Sequence, residues 1–131
     1  MERSNQMPDP AIIPPRGGLL HILDATGYSL AGWRRLMQET AARLEAVGAL
    51  TVAILLIWRG ATLAQWIGAA VLLALLLAVE ALNTAIEELT DRVSPEWSLT
   101  AKHAKDLGSL AVGLLLVANA LYLGGVLLSL I

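Results

Sequence analysis

Leu107–Ile131 is a run of twenty-five residues without one charged side chain. As a helix it is long enough to cross a hydrocarbon core of about 30 Å. A second run, Gly60–Val79, has twenty residues, with Gln65 as its one strongly polar member. Both read as transmembrane helices. A third apolar run, Ala46–Trp58, has thirteen residues between Glu45 and Arg59. It would cover only about 20 Å as helix. It joins the other two if residues near Arg43 and Arg59 snorkel to the two interfaces.

Composition agrees with a membrane chain. Of the 131 residues, 56% are hydrophobic and 15% charged, against about 25% charged in soluble domains. Cysteine is absent and there are two histidines, His21 and His103. That leaves no thiolate chemistry and no imidazole-built metal centre. The net charge of −2 gives no basic field for nucleic acid, so no nucleic-acid partner is expected. Phenylalanine is missing, while leucine and alanine dominate, which favours helices over strands.

Around these runs the chain divides into a tail, a surface helix and three spans. Residues 1–18 hold Pro8, Pro10, Pro14 and Pro15 with Gly17 and Gly18, the composition of an irregular tail. The tail lacks the apolar stretch of a secretory signal, so no cleaved segment is expected. Leu19, Ile22/Leu23, Thr26, Leu30, Trp33 and Met37 recur at steps of three and four. That periodicity predicts an amphipathic helix over 19–38, lying in the membrane interface or capping the bundle. The spans are predicted at 40–58, 62–92 and 98–131. Arg59-Gly60-Ala61-Thr62 should close a tight hairpin, and Ser94-Pro95 should end the second span. Trp33, Trp58, Trp66 and Trp97 suit an interfacial belt, with packing as the alternative for Trp66, which sits a turn inside the second run.

Arg34, Arg35, Arg43, Arg92, Lys102 and Lys105 fall on one side of such a bundle, and Arg59 on the other. By the positive-inside rule the crowded side, with the N-terminus, is cytoplasmic. The expected location is a bacterial inner membrane. Ala70, Ala74 and Ala78, with Ala104/Gly108 and Ala120/Gly124, are small-residue pairs that would allow close helix approach between copies.

The chemistry lies at the end of the second span. Glu80, Asn83, Glu87 and Asp91 are spaced 3, 4 and 4 residues apart, which places them within roughly 80° of helical arc. Glu88 points elsewhere. The stripe begins where the apolar run stops. It reads either as a solvated helix end or as oxygen ligands and a general base at head-group depth. On the same side are Gln38-Glu39 and Arg43-x-Glu45, and the start of the third span with Lys102, Lys105 and Asp106. No Walker A loop and no G-x-G-x-x-G occurs, so a nucleotide site here is of neither the P-loop nor the protein-kinase type.

Glu80-Ala-Leu-Asn83-Thr-Ala-Ile-Glu87-x-x-x-Asp91-Arg92, followed by Lys105-Asp106-x-Gly108-Ser109, resembles the signature of the small prokaryotic diacylglycerol kinase family. Ala25-Thr26-Gly27-Tyr28-Ser29-Leu30-x-Gly32 and Glu39 fit it too. The resemblance covers roughly residues 19–131. It implies an all-α membrane protein, a homotrimer of three-span protomers with an N-terminal surface helix, that phosphorylates a lipid hydroxyl with Mg-ATP. It implies Glu80 as general base and Glu39 and Glu87 as the Mg²⁺-binding acids, close to the ATP phosphates. Lys105 and Asp106 match its nucleotide-binding pair, and Asn83 and Asp91 match further polar positions. Tyr28 and Ser29 match positions near nucleotide and lipid, and Glu96-Trp97-Ser98 falls on the loop over the nucleotide. His21 stands where the family often has an arginine near the phosphates. The stretch Trp33–Glu39 is one residue shorter than the family's spacing, and Gln38 replaces a common asparagine.

Diacylglycerol is the substrate this resemblance favours. Undecaprenol, also taken within the family, is the alternative. Outside it, a small proton-coupled transporter and a non-enzymatic assembly subunit remain as rival readings of a carboxylate in a short bundle.

Overall fold

A computed structural model describes residues 19–131. The proline-rich tail expected over 1–18 lies outside them. Four helices follow one another: α1 (Leu19–Leu36), α2 (Thr40–Arg59), α3 (Leu63–Val93) and α4 (Leu99–Leu127). No strand occurs among the described residues. The boundary between two compact units falls inside α1, between Ala31 and Gly32.

α2, α3 and α4 are each long and apolar enough to cross a membrane. The short first run is therefore extended. Six residues from Thr40 to Glu45, Arg43 among them, continue the helix toward the chain's N-terminus, and Arg59 adds one at the other end. Its twenty residues reach about 30 Å at 1.5 Å per residue. α3 has thirty-one residues. Its apolar part up to Val79 spans about 25 Å, and the segment carrying the polar stripe adds about 20 Å more. α1 stops at Leu36 rather than running to Gln38, because Met37 and Gln38 turn the chain into α2. α4 stops at Leu127, four residues before the apolar run does. There Ser129 takes a positive φ of 58°, and Leu130 N–H returns to the Gly125 carbonyl at 2.8 Å.

The hairpin between α2 and α3 forms where expected. Gly60 adopts the left-handed conformation, φ 67° and ψ 42°, which a side chain would strain. Its N–H bonds to the Ile57 carbonyl and that of Ala61 to Leu56, the paired closure of a Schellman turn. Thr62 then starts α3 with a reciprocal capping box. Its hydroxyl accepts from Gln65 N–H at 3.3 Å, and Gln65 Oε1 accepts from Thr62 N–H at 2.7 Å. Ser94 follows the last residue of α3 as its C-cap, as Pro95 requires.

α3 and α4 pack along one another, and α2 joins both more sparingly. Two bonds pin the α3–α4 seam inside the apolar zone. Asn119 Nδ2 donates to the Leu72 and Leu115 carbonyls at 3.3 and 2.8 Å. Tyr122 Oη donates to the Gln65 carbonyl at 2.9 Å. The phenol needs Gly68 beneath it, since a Cβ there would lie 2.6 Å from Tyr122 Cζ. Among the described residues the buried apolar core is small: Leu36, Ala42, Leu56, Leu76 and Val126. Most large apolar side chains face outward, as lipid solvation permits and water does not. Ala70, Ala74 and Ala78 also remain on an exposed face.

Candidate active site

The first half of the polar stripe on α3, Glu80 and Asn83, is not a solvated helix end, whereas Asp91 at its far end is exposed. Glu80 is 5% exposed and Asn83 8%, although Ala81 and Leu82 between them are exposed. Burying a carboxylate costs free energy unless charge or hydrogen bonds compensate. Asn83 Nδ2 donates to Glu87 Oε1 at 3.0 Å, a contact that the four-residue spacing makes available. Its other atom, Oδ1, is buried without a partner. That oxygen lies over Gly108 of α4, where any Cβ would collide with it. Gly108 thus admits the amide between α3 and α4, which a small-residue pairing of helices alone would not have required.

Around Glu80 the charges are of one sign. Glu87 and Glu39 are both near enough to interact with it electrostatically, and so is Glu45 from α2. Glu45 Oε2 is buried with no hydrogen-bond partner. The sequence reading placed no role on Glu45. The signal for it was available: like Glu80, it marks the edge of an apolar run. Unpaired buried oxygens and gathered like charges are costly in a folded chain, and they concentrate where a ligand supplies what is missing.

Glu39 sits at the N-cap position of α2 with extended backbone, φ −75° and ψ 138°, yet makes no capping bond. Its carboxylate turns instead to Arg35, whose Nη1 donates to Oε1 at 2.5 Å. Arg35 also reaches Glu88 on α3, with Nε at 2.6 Å and Nη2 at 2.5 Å from Oε1. These carboxylates hold the guanidinium above its ordinary pKa, through the hydrogen bond to Glu39 first and that to Glu88 second. Arg35 is therefore a cation throughout the working pH range. Arg43 fastens the corner backbone, donating to the Met37 and Gln38 carbonyls at 3.0 and 3.3 Å.

Across the seam, Lys105 of α4 pairs with Asp91 of α3 at 2.5 Å. Asp106 pairs with Lys102, one turn back on its own helix, also at 2.5 Å. Lys105 and Asp106, adjacent in sequence, thus face different partners. Ser98 caps α4, its hydroxyl accepting from Ala101 N–H at 3.1 Å, and lies 3.0 Å from the Ser94 hydroxyl. Glu96 and Trp97 beside it are exposed. Tyr28 and Ser29 lie on the part of α1 that belongs to the other compact unit. The Ser29 hydroxyl bonds back to the Ala25 carbonyl at 3.0 Å. His21 lies in the first turn of that helix, and its side chain lies outside what the structure describes.

Among the described residues, no three histidine, aspartate or glutamate side chains converge tightly enough to enclose a metal ion. That still fits Mg²⁺ held with a nucleotide, which takes one or two carboxylates and fills its octahedron with phosphate oxygens and water. Glu39 and Glu87 are hard oxygen donors of that kind. Each has one oxygen engaged, by Arg35 and by Asn83.

The family model described as "Prokaryotic diacylglycerol kinase" matches residues 27–128. The chain belongs to the prokaryotic diacylglycerol kinase family. It is 49% identical over 105 residues to a diacylglycerol kinase of Sinorhizobium sp, covering 80% of this chain and 77% of that one. It is 34% identical to the diacylglycerol kinase of Haemophilus influenzae, over 84% of this chain and 94% of the relative. With that of Escherichia coli (strain K12) the identity is 34%, over 72% and 79%. A member of the prokaryotic diacylglycerol kinase family is a lipid kinase. The transporter and the passive assembly subunit are thereby set aside. Both stripe and second block fall within the matched region.

Proposed function

We propose that the chain transfers the γ-phosphoryl group of Mg-ATP to the hydroxyl of diacylglycerol, giving phosphatidic acid, at the cytoplasmic face of a bacterial inner membrane. The observation that carries this reading is the buried Glu80, gathered with Glu39, Glu45 and Glu87 where the apolar part of α3 ends. That is the depth at which a lipid hydroxyl, held by its acyl chains, meets a nucleotide arriving from water. The relatives' names support diacylglycerol as the alcohol.

In this mechanism Glu80 takes the hydroxyl proton as the lipid oxygen attacks the γ-phosphorus. The bond from that phosphorus to the β–γ bridging oxygen breaks, and ADP leaves. Asn83 holds Glu87, and Asp91 restrains Lys105 until phosphate replaces it. Glu39 and Glu87 would hold Mg²⁺, which supplies neutralisation of charge on the phosphates. Lys105, Asp106 and the Glu96-Trp97-Ser98 loop would surround the nucleotide. An apolar groove of about 530 Å³, lined by Leu44, Gly48, Val52, Trp66 and Leu73, includes Glu45 in its wall. A lipid lying in it would present its head to the carboxylates. A homotrimer is part of the proposal, supported by the exposed alanine row on α3. The distribution of arginine and lysine supports a cytoplasmic N-terminus as part of the same proposal.

The deciding experiment offers radiolabelled ATP to the purified chain in mixed micelles with diacylglycerol and, in parallel, undecaprenol. Label in phosphatidic acid supports the reading. Label in the polyprenyl lipid alone replaces the substrate and keeps the chemistry. No label in either lipid rejects it.

A further inference from the structure

The Glu39 carboxylate is held by something other than its own helix. At an N-cap a side chain ordinarily accepts from the first turn, and Glu39 does not. The bond that fixes it comes from Arg35 Nη1, at 2.5 Å. The same guanidinium puts Nε and Nη2 on one oxygen of Glu88. Glu88 lies about 100° round α3 from Glu87, off the buried stripe and half-exposed, so it is available as an anchor without entering the cluster. The α1–α2 corner is thus fastened twice. Arg43 holds its backbone, and Arg35 holds its one carboxylate to the turn of α3 that carries Glu87.

We infer that Arg35 is a positioning residue for nucleotide binding: anchored on Glu88, it fixes the Glu39 carboxylate at a set distance from Glu87. The inference rests on the proposed pairing of those two acids around Mg-ATP. Arg35 touches no reacting atom in this scheme. Its planar fork reaches two carboxylates on different helices at once, which the single ammonium of a lysine does less well. Both ion pairs are partly exposed, and exposed pairs couple weakly. The effect is therefore moderate, and it lies in nucleotide affinity rather than in the chemical step.

The test compares Arg35→Met, Glu88→Gln, the two combined, and Arg35→Lys in the full chain in mixed micelles, varying Mg-ATP and lipid separately. The expected result is a rise of roughly three- to fivefold in KM for Mg-ATP in each single Met or Gln variant. The lipid KM and kcat at saturating nucleotide should stay near the parent's, the pattern of lost ground-state binding. The double variant should be no worse than either single, because one tether has been cut twice, and Arg35→Lys should fall between parent and Arg35→Met. An unchanged KM for Mg-ATP, an additive double variant, or a change confined to the lipid KM would overturn the inference. Calorimetric binding of Mg-ATP to Glu39→Gln separates it from the reading beneath. Weakened binding there with normal binding in Arg35→Met overturns the tether alone. Normal binding in Glu39→Gln overturns both.

Discussion

The two ends of the α3–α4 seam are built on opposite principles. At the hairpin end nearly every polar group has a partner. Thr62 and Gln65 cap each other, Gln65 Nε2 reaches the Ile131 carbonyl at 2.9 Å, Tyr122 reaches the Gln65 carbonyl, and Arg59 meets Ser129. At the other end Glu80 is buried among like charges, and Asn83 Oδ1 and Glu45 Oε2 have no partner. Satisfied groups make a stable joint with nothing left to offer. Unsatisfied ones cost stability and leave valence for a substrate. The first end holds the helices together, and the second end is where a lipid kinase can work.

Substitutions on each side should separate activity from stability. Glu80→Gln keeps the size and burial of the side chain but removes the proposed base, and turnover should fall by roughly 10²- to 10⁴-fold. The variant should melt no lower than the parent in micelles. Near-parental turnover would break the contrast at its strongest point. Gly108→Ala acts next, since the new Cβ would collide with Asn83 Oδ1 and lie 3.1 Å from its Cγ. Overpacking of this kind costs about 1–3 kcal/mol, and the displaced amide loses its hold on Glu87. Turnover should drop by about 10- to 100-fold, together with the melting temperature.

The seam should respond in stability alone. Asn119→Leu removes two bonds to carbonyls within the apolar zone. Such bonds contribute about 0.6 kcal/mol on average and at most about 1.7, so denaturant titration should show a loss in that range with kcat intact. Tyr122→Phe removes one bond and keeps the ring over Gly68, and should cost about 0.6 kcal/mol or less. If either seam variant lowered turnover more than stability, the two ends would be coupled, and the division of labour would need redrawing.

Much of this was legible in the residues. An uncharged stretch can only be a span, Gly60 and Pro95 can only punctuate, and the steps from Glu80 to Asp91 put four polar groups on one face whatever surrounds them. Local periodicity and backbone chemistry carry that information without reference to the rest of the chain. The first span was harder to read, because Arg43 and Glu45 interrupt its apolar pattern while leaving its helix intact. Glu45 was passed over for the same reason: an acid at the margin of a run reads as a boundary until a second acid is found beside it.

The sequence alone thus determined an all-helical membrane chain, its hairpin, its polar stripe and the blocks that mark its family, since each depends on residues near one another along the chain. Only the tertiary structure decided which of those polar groups are buried and what they meet. It set Glu45 near Glu80, lodged Asn83 over Gly108, gave Lys105 to Asp91 and joined Glu39 to Glu88 through Arg35. Those meetings are between helices. Spacing within a helix fixes which face a side chain occupies, but only packing fixes what stands opposite.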